Sequence, residues 1–222
     1  MNTRILAVGA AIAVVGFAAA GAQAAELITN GSFELGSHDA AFGGFSTVGA
    51  GSSDIAGWTV GSGSVDWING YWQASDGAHS IDLNGNSVGD ISQTISTIAG
   101  HTYTLTFDMS GNPDIGSDTR TMLVSAGGTT ANFSYTFTVP PNSHAGMSWA
   151  SESLTFIATA ATTLIDFKST STGNCCYGAA LDNVSVVNAV PEPATWTLLV
   201  GGLGAVGAAL RTARRRAIPA VI

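Results

Sequence analysis

The sequence predicts an all-β domain whose antiparallel strands pack as a sandwich or barrel, with an apolar segment at either end. Three observations lead there. Short runs within residues 25–189 alternate apolar and polar side chains with period two, as in Thr102-Tyr103-Thr104-Leu105-Thr106-Phe107, the pattern of a half-buried strand. Clusters of Gly, Asn, Asp and Ser separate these runs at near-regular spacing, which favours a sandwich or barrel. No stretch of this segment keeps apolar residues at helical spacing over three turns.

Taken in chain order, the N-terminus reads as a signal peptide over 1–24. Arg4 supplies its positive end, 5–20 its apolar stretch, and Ala22-Gln23-Ala24 a small-residue cleavage site. Strands are then expected at 58–60, 65–68, 80–83, 91–95, 102–107, 122–125, 132–137, 153–157, 163–169 and 181–187. Thr and Ser at the outward positions explain how sheets stay soluble with few charges. After residue 189 the chain changes character. Pro191-Glu192-Pro193 precedes an apolar run over 194–210, followed by Arg211, Arg214, Arg215 and Arg216. A helix over that run spans about 25 Å, enough to cross a thin hydrocarbon core, and the arginines place its C-terminal end in the cytoplasm.

Composition narrows the function. Of 222 residues only 10% are charged and 45% are hydrophobic, against roughly 25% charged in an average soluble domain. A coiled coil rich in Glu and Lys, an acidic disordered chain and a basic nucleic-acid binder are all excluded. Between 25 and 189 the basic residues are Arg120 and Lys168, set against fourteen Asp and Glu, a net of −12. Such a surface repels phosphate and anionic lipid and suits cations and neutral polymers.

The tail resembles the PEP-CTERM sorting signal of Gram-negative bacteria, with its triplet, helix and arginines in the right order at the C-terminus. The resemblance implies that Pro191, Glu192 and Pro193, with Arg214, Arg215 and Arg216, are read by an exosortase-type processing enzyme. It also implies an inner-membrane precursor whose domain ends at the cell surface or in the extracellular matrix. Within 25–189, Asn30-Gly31-Ser32-Phe33-Glu34 and Leu181-Asp182-Asn183-Val184-Ser185-Val186 form a pair of end motifs. Together with Gly57-Trp58, Trp72-Gln73-Ala74-Ser75-Asp76-Gly77 and Gly111-Asn112-Pro113-Asp114, they resemble galactose-binding-like jelly rolls of the carbohydrate-binding-module type, most of all bacterial choice-of-anchor C proteins. The implied fold is a jelly-roll β-sandwich over 25–189.

The first and last strands of a jelly roll lie close together, so Glu34 and Asp182 can meet. Two carboxylates with carbonyls from a Gly-rich turn suit Ca²⁺, and the resemblance implies a structural calcium on Glu34 and Asp182, with Asp76 as a third ligand. The same two carboxylates could instead bind backbone amides. For a ligand, Trp67, Tyr71 and Trp72 crowd one stretch beside Asp66 and Gln73. A flat aromatic face among polar groups is the usual means of holding a sugar, although these rings could equally pack between sheets.

Other chemistry is weaker. Gly85-Asn86-Ser87-Val88-Gly89 fits the nucleophile-elbow string, but a strand rather than a helix follows it, so it reads as a turn. His38, His79, His101 and His144 are scattered without metal-site spacing. Asp66, Asp108, Asp114 and Asp118 could supply an acid/base pair only if the fold brings two together. The adjacent Cys175 and Cys176 admit a strained vicinal disulfide, a reduced pair or pairing with another molecule. The expected function is non-catalytic binding of an extracellular polysaccharide. The alternatives are a structural matrix or biofilm protein acting through protein-protein contacts and, third, a small glycan hydrolase.

Overall fold

A computed structural model describes residues 25–37, 44–140, 142–171, 175–189 and 201–211. The signal peptide at 1–24, His38, the Pro191-Glu192-Pro193 triplet and Arg214 to Arg216 lie outside the described residues. Of the apolar tail, 201–211 is helical. Among the described residues no helix is long and apolar enough to cross a membrane.

The described residues between 25 and 189 form one compact unit of two antiparallel sheets. The strands are β1 (Gly44–Gly49), β2 (Thr59–Val60), β3 (Ser64–Asn69), β4 (His79–Asp82), β5 (Asp90–Ser96), β6 (Thr102–Gly111), β7 (Asp118–Ala126), β8 (Thr129–Phe137), β9 (Ala150–Ile157), β10 (Thr162–Ser169) and β11 (Ala179–Asn188). One sheet runs β1-β3-β4-β11-β6-β9 and the other β2-β5-β10-β7-β8. This is the expected β-sandwich. Each predicted run falls on a strand; β1 was not among them, and the Gly85–Gly89 string is the turn between β4 and β5, closed by a bridge between Asn84 and Val88.

The period-two pattern explains the core. Val65 and Trp67 of β3, Ile81 of β4, Leu105 and Phe107 of β6 and Leu181 of β11 point inward, against Ile91, Val124, Ile165 and Phe167 of the facing sheet. Trp58 lies between Phe33 and Phe167, with ring centroids 5.1 and 6.2 Å away. Its indole N–H donates to the Asn30 carbonyl at 2.9 Å, which satisfies the polar atom such a ring must bury.

The two end motifs meet as neighbours. Gly31 O accepts from Val184 N at 2.9 Å, and a Cβ at residue 31 would lie 1.9 Å from the Val184 carbonyl oxygen. Only glycine fits there. Asn30, with φ of 55°, closes the turn by accepting Leu35 N and donating to the carbonyls of Leu35 and Ala56.

The outer face of the six-stranded sheet is also covered. Every residue of β3 and β4 is buried, which requires layers on both sides of those strands. A second apolar cluster of Ile68, Trp72, Phe137, Met147 and Ala180 forms there. The loop after β3 and the segment after β8 lie over the sheet and are tied together. Gln73 N donates to His144 O at 2.8 Å, and Trp149 Nε1 donates to Gln73 O at 3.0 Å.

Candidate functional site

Two cavities open on this covered face and share a wall. One, of about 570 Å³, is lined by the loop residues Tyr71, Trp72, Gln73, Gly77 and Ala78 together with His144. The other, of about 280 Å³, runs over β1, β3 and β4 and is lined by Phe45, Thr47, Asp66, Asp82, Asn86, Asn112, Asp114 and Tyr177, among others. Tyr71 and Trp72 line both. Strand register explains the second. Phe45 stands opposite Ile68, Thr47 opposite Asp66, and Asp66 opposite Asp82, and directly opposed residues share a face.

The wall is braced by Asp114. Tyr71 Oη donates to Asp114 Oδ2 at 3.0 Å, His144 Nε2 lies 2.7 Å from Asp114 Oδ1, and the Tyr71 carbonyl lies 3.1 Å from His144 Nδ1. Rings pack on both sides of Tyr71: Phe45 edge-on at 5.4 Å and His144 at 4.8 Å. Burial, assisted by the bond to Asp114, raises the Tyr71 phenol above its ordinary range. Asn112 caps the short 3₁₀ turn Pro113–Ile115 by accepting Asp114 N, which sets Asp114 at the cavity mouth.

The predicted ligand residues separate into two groups. Asp66, Tyr71, Trp72 and Gln73 line these cavities. Trp67 does not. It is fully buried in the inter-sheet core, stacks near His79 at 5.2 Å and donates Nε1–H to the Phe33 carbonyl. The reason is the pleat: Asp66 and Trp67 are successive strand residues and must point to opposite faces. Trp72 is 3% exposed, with its indole N–H donating to Ser80 Oγ at 2.9 Å; it offers little surface to a ligand. Phe45, 47% exposed, is the aromatic that sequence reasoning missed, as are Asn112, Tyr177, His144 and Asp82.

Glu34 and Asp182 converge on one loop rather than on each other. Glu34 Oε1 accepts Ala78 N at 2.8 Å and His79 N at 2.7 Å, and Oε2 lies 2.9 Å from His79 Nδ1. Asp182 Oδ2 accepts Ser75 N and Asp76 N at 2.7 and 2.9 Å, while Oδ1 accepts Asn183 N. Asp108 takes Ser75 Oγ, Ser151 Oγ and Asn183 Nδ2. The turn at Asp76-Gly77 is thereby clamped from both ends. A Cβ on Gly77 would lie 2.3 Å from Glu34 Oε1, and its φ is 70°.

This arrangement is the amide-binding alternative, and it does not fit a calcium ion. N–H donors point at the oxygens of both carboxylates, and Asp76 contributes its amide to the clamp. Among the described residues no three His, Cys, Asp or Glu side chains gather around a point that could hold a metal. Burial pushes Asp182 up to about 7 despite its three amides. For Glu34 burial acts in the same direction but is outweighed by the amides and imidazole, which hold it below its ordinary value.

The four aspartates weighed for catalysis do not form one centre. Asp66 and Asp114 line the smaller cavity, Asp108 is bonded in the clamp, and Asp118 pairs with the buried Arg120 at 2.9 Å. Asp82 is fully buried. Its oxygens take Asn84 N, Gly178 N and Asn112 Nδ2, and burial raises it to about 7. Cys175 and Cys176 form a disulfide with each other, their Cα atoms 3.8 Å apart, and Cys176 borders the smaller cavity.

Comparison with known proteins gives two family matches. Residues 26–187 match the model of DUF642, described as a protein of unknown function, and residues 189–216 match the PEP-CTERM protein-sorting motif. Among curated proteins, Halomucin of Haloquadratum walsbyi is 34% identical over 168 residues; the match takes in 75% of this chain and 2% of that protein's length. Among solved structures, a family 35 carbohydrate binding module from Clostridium thermocellum is 15% identical with a TM-score of 0.41, covering 64% of this chain and 97% of its own. TmCBM61, solved with beta-1,4-galactotriose, is 15% identical with the same TM-score, covering 74% and 99%.

Proposed function

We propose that this chain, which belongs to the DUF642 family, is an exported domain that binds glycans without catalysis. The C-terminal sorting motif implies export to the cell surface or exterior and handling by an exosortase-type enzyme, so the domain meets extracellular polymers. The observation that carries the reading is the shared wall: Tyr71 and Trp72 separate an open groove of about 570 Å³ from a tighter cavity of about 280 Å³. That combination suits a polymer, with a pocket for one unit and a trough for its neighbours. Phe45 and Tyr71 supply apolar ring surface, and Asn86 and Gln73 supply polar groups for directed hydrogen bonds, the usual division of labour in a small-ligand site. Asp66 lies opposite Asp82, but the Asp82 oxygens are taken by Asn84 N, Gly178 N and Asn112 Nδ2, which ill suits it to serve as the second carboxylate of a hydrolase.

Glycan-array binding followed by calorimetry tests this. Tyr71→Ala and Phe45→Ala are each expected to weaken binding about three- to tenfold, the ~0.5–1.5 kcal/mol of an aromatic contact beyond its area, with Tm little changed for the exposed Phe45. A blank array from a domain that self-associates would assign it to protein-protein contacts in a matrix instead.

A further inference from the structure

The smaller cavity holds a carboxylate that no described residue of its lining meets with a counter-charge. Asp66 is 9% exposed. Its Oδ1 accepts Thr47 Oγ1 at 2.5 Å, and its Oδ2 takes no hydrogen bond from the described residues while the side chain lines the cavity. Burial raises its pKa, with only the Thr47 bond opposing. Asp82 stands directly across the ladder and Asp114 at the mouth, so three carboxylates bear on one small space. None of the cavity's lining residues is Lys, Arg or His. Among the described residues Arg120 pairs with Asp118, and Lys168 lies on β10 of the other sheet.

A carboxylate removed from water is ordinarily paired, and opposed like charges on a sheet repel. An amine-bearing ligand would supply the positive group that the described lining residues lack. A divalent ion is a poor candidate, because Asp82 already faces three N–H donors and Asp114 is held by Tyr71 and His144. The space of about 280 Å³ equals roughly nine waters at ~30 Å³ each, the scale of a single sugar ring. Phe45 and Tyr71 flank it with apolar surface.

We propose that this cavity takes a hexosamine unit with a free amino group, its ammonium on Asp66 Oδ2, within an unacetylated or partly deacetylated polysaccharide. The inference deepens the glycan-binding reading and rests on it. Acetylation removes the charge and adds bulk where the ammonium sits. A uronic acid brings a fourth carboxylate to the three already there. The ligand is thus distinguished by its nitrogen, and Asp66 is the residue that reads it.

Calorimetric titration of the folded domain in 150 mM salt decides the matter, using oligomers of glucosamine and galactosamine, their N-acetylated forms, a neutral hexose oligomer, a uronic acid oligomer and oligolysine of matched charge. At least tenfold tighter binding of an amino form over its acetylated form is expected, with no binding of the uronic acid. Asp66→Asn is expected to remove that difference, with Tm followed to show that the variant is folded. Should the variant fail to fold, the acetylation contrast on the unaltered domain decides alone. Equal binding of amino and acetylated forms overturns the inference but leaves the glycan reading intact; absence of binding to every glycan overturns both. Oligolysine binding as tight as that of the amino sugar would assign the effect to bulk charge and overturn the inference too.

Discussion

Trp67 shows how much a single pleat decides. By composition it belongs with Tyr71 and Trp72; by geometry it belongs with Ile81 and Phe33. Trp67→Ala is therefore expected to cost ~3–5 kcal/mol of stability, the range for large core aromatics, read by chemical denaturation. The Asp182 carboxylate sits at the opposite extreme, a buried charge whose task is to hold amides. Asp182→Ala removes the acceptor of the part-buried amides of Ser75, Asp76 and Asn183, at ~0.5–1.5 kcal/mol for each hydrogen bond lost. Since those carboxylate oxygens face N–H groups, added Ca²⁺ is expected to leave Tm unchanged in thermal melts. A Ca²⁺-dependent rise abolished by Asp182→Ala would overturn this account of the clamp.

At the level of elements, the loop over 70–78 is positioned by residues far from it in sequence: Glu34 from the first motif, Asp182 from the last, and His144 from the segment after β8. Glu34→Ala removes the oxygen that Ala78 N and His79 N both bond. Faster hydrogen exchange at those amides, with β6 and β11 amides unchanged, is expected, because local opening tracks local bonds rather than global stability. The strands themselves were legible because their alternation is written in neighbouring residues. β1 was not, since its two large apolar residues, Phe45 and Val48, are three apart and lie on opposite faces, which leaves no period-two signal. The site shared that fate. Its Asp66–Asp82 pairing and the meeting of Phe45 with Tyr71 depend on register between strands, and no local pattern records register. The alternation did contain one unused clue, that Asp66 and Trp67 could never serve the same face.

For the whole domain, charge and burial together set the response to pH. With a net charge of −12 over 25–189, ionised aspartates repel one another, and several are buried. Burial raises Asp82 and Asp182 to about 7, and burial with the nearby Asp90 raises Asp166 to about 6. In the unfolded chain these groups release their protons near pH 4. Between those limits the folded state binds more protons than the unfolded state, so stability falls as pH rises. Glu34 and Asp108, held below their ordinary values by hydrogen bonds that outweigh burial, act in the opposite sense, and their contribution is lost only as pH drops below about 4. The stability maximum is therefore expected near pH 4–5, on the acid side of the common range of about 5–8. Between pH 5 and 8 the Tm of the domain should fall by several °C or more, at ~2–4 °C per kcal/mol for a chain of this size. Asp82→Asn, which cannot ionise, should flatten that slope, and melts of both proteins at several pH values measure it. A Tm that holds level or climbs toward pH 8 would mean that Asp82 and Asp182 stay ionised in the folded state, with their amide bonds prevailing over burial.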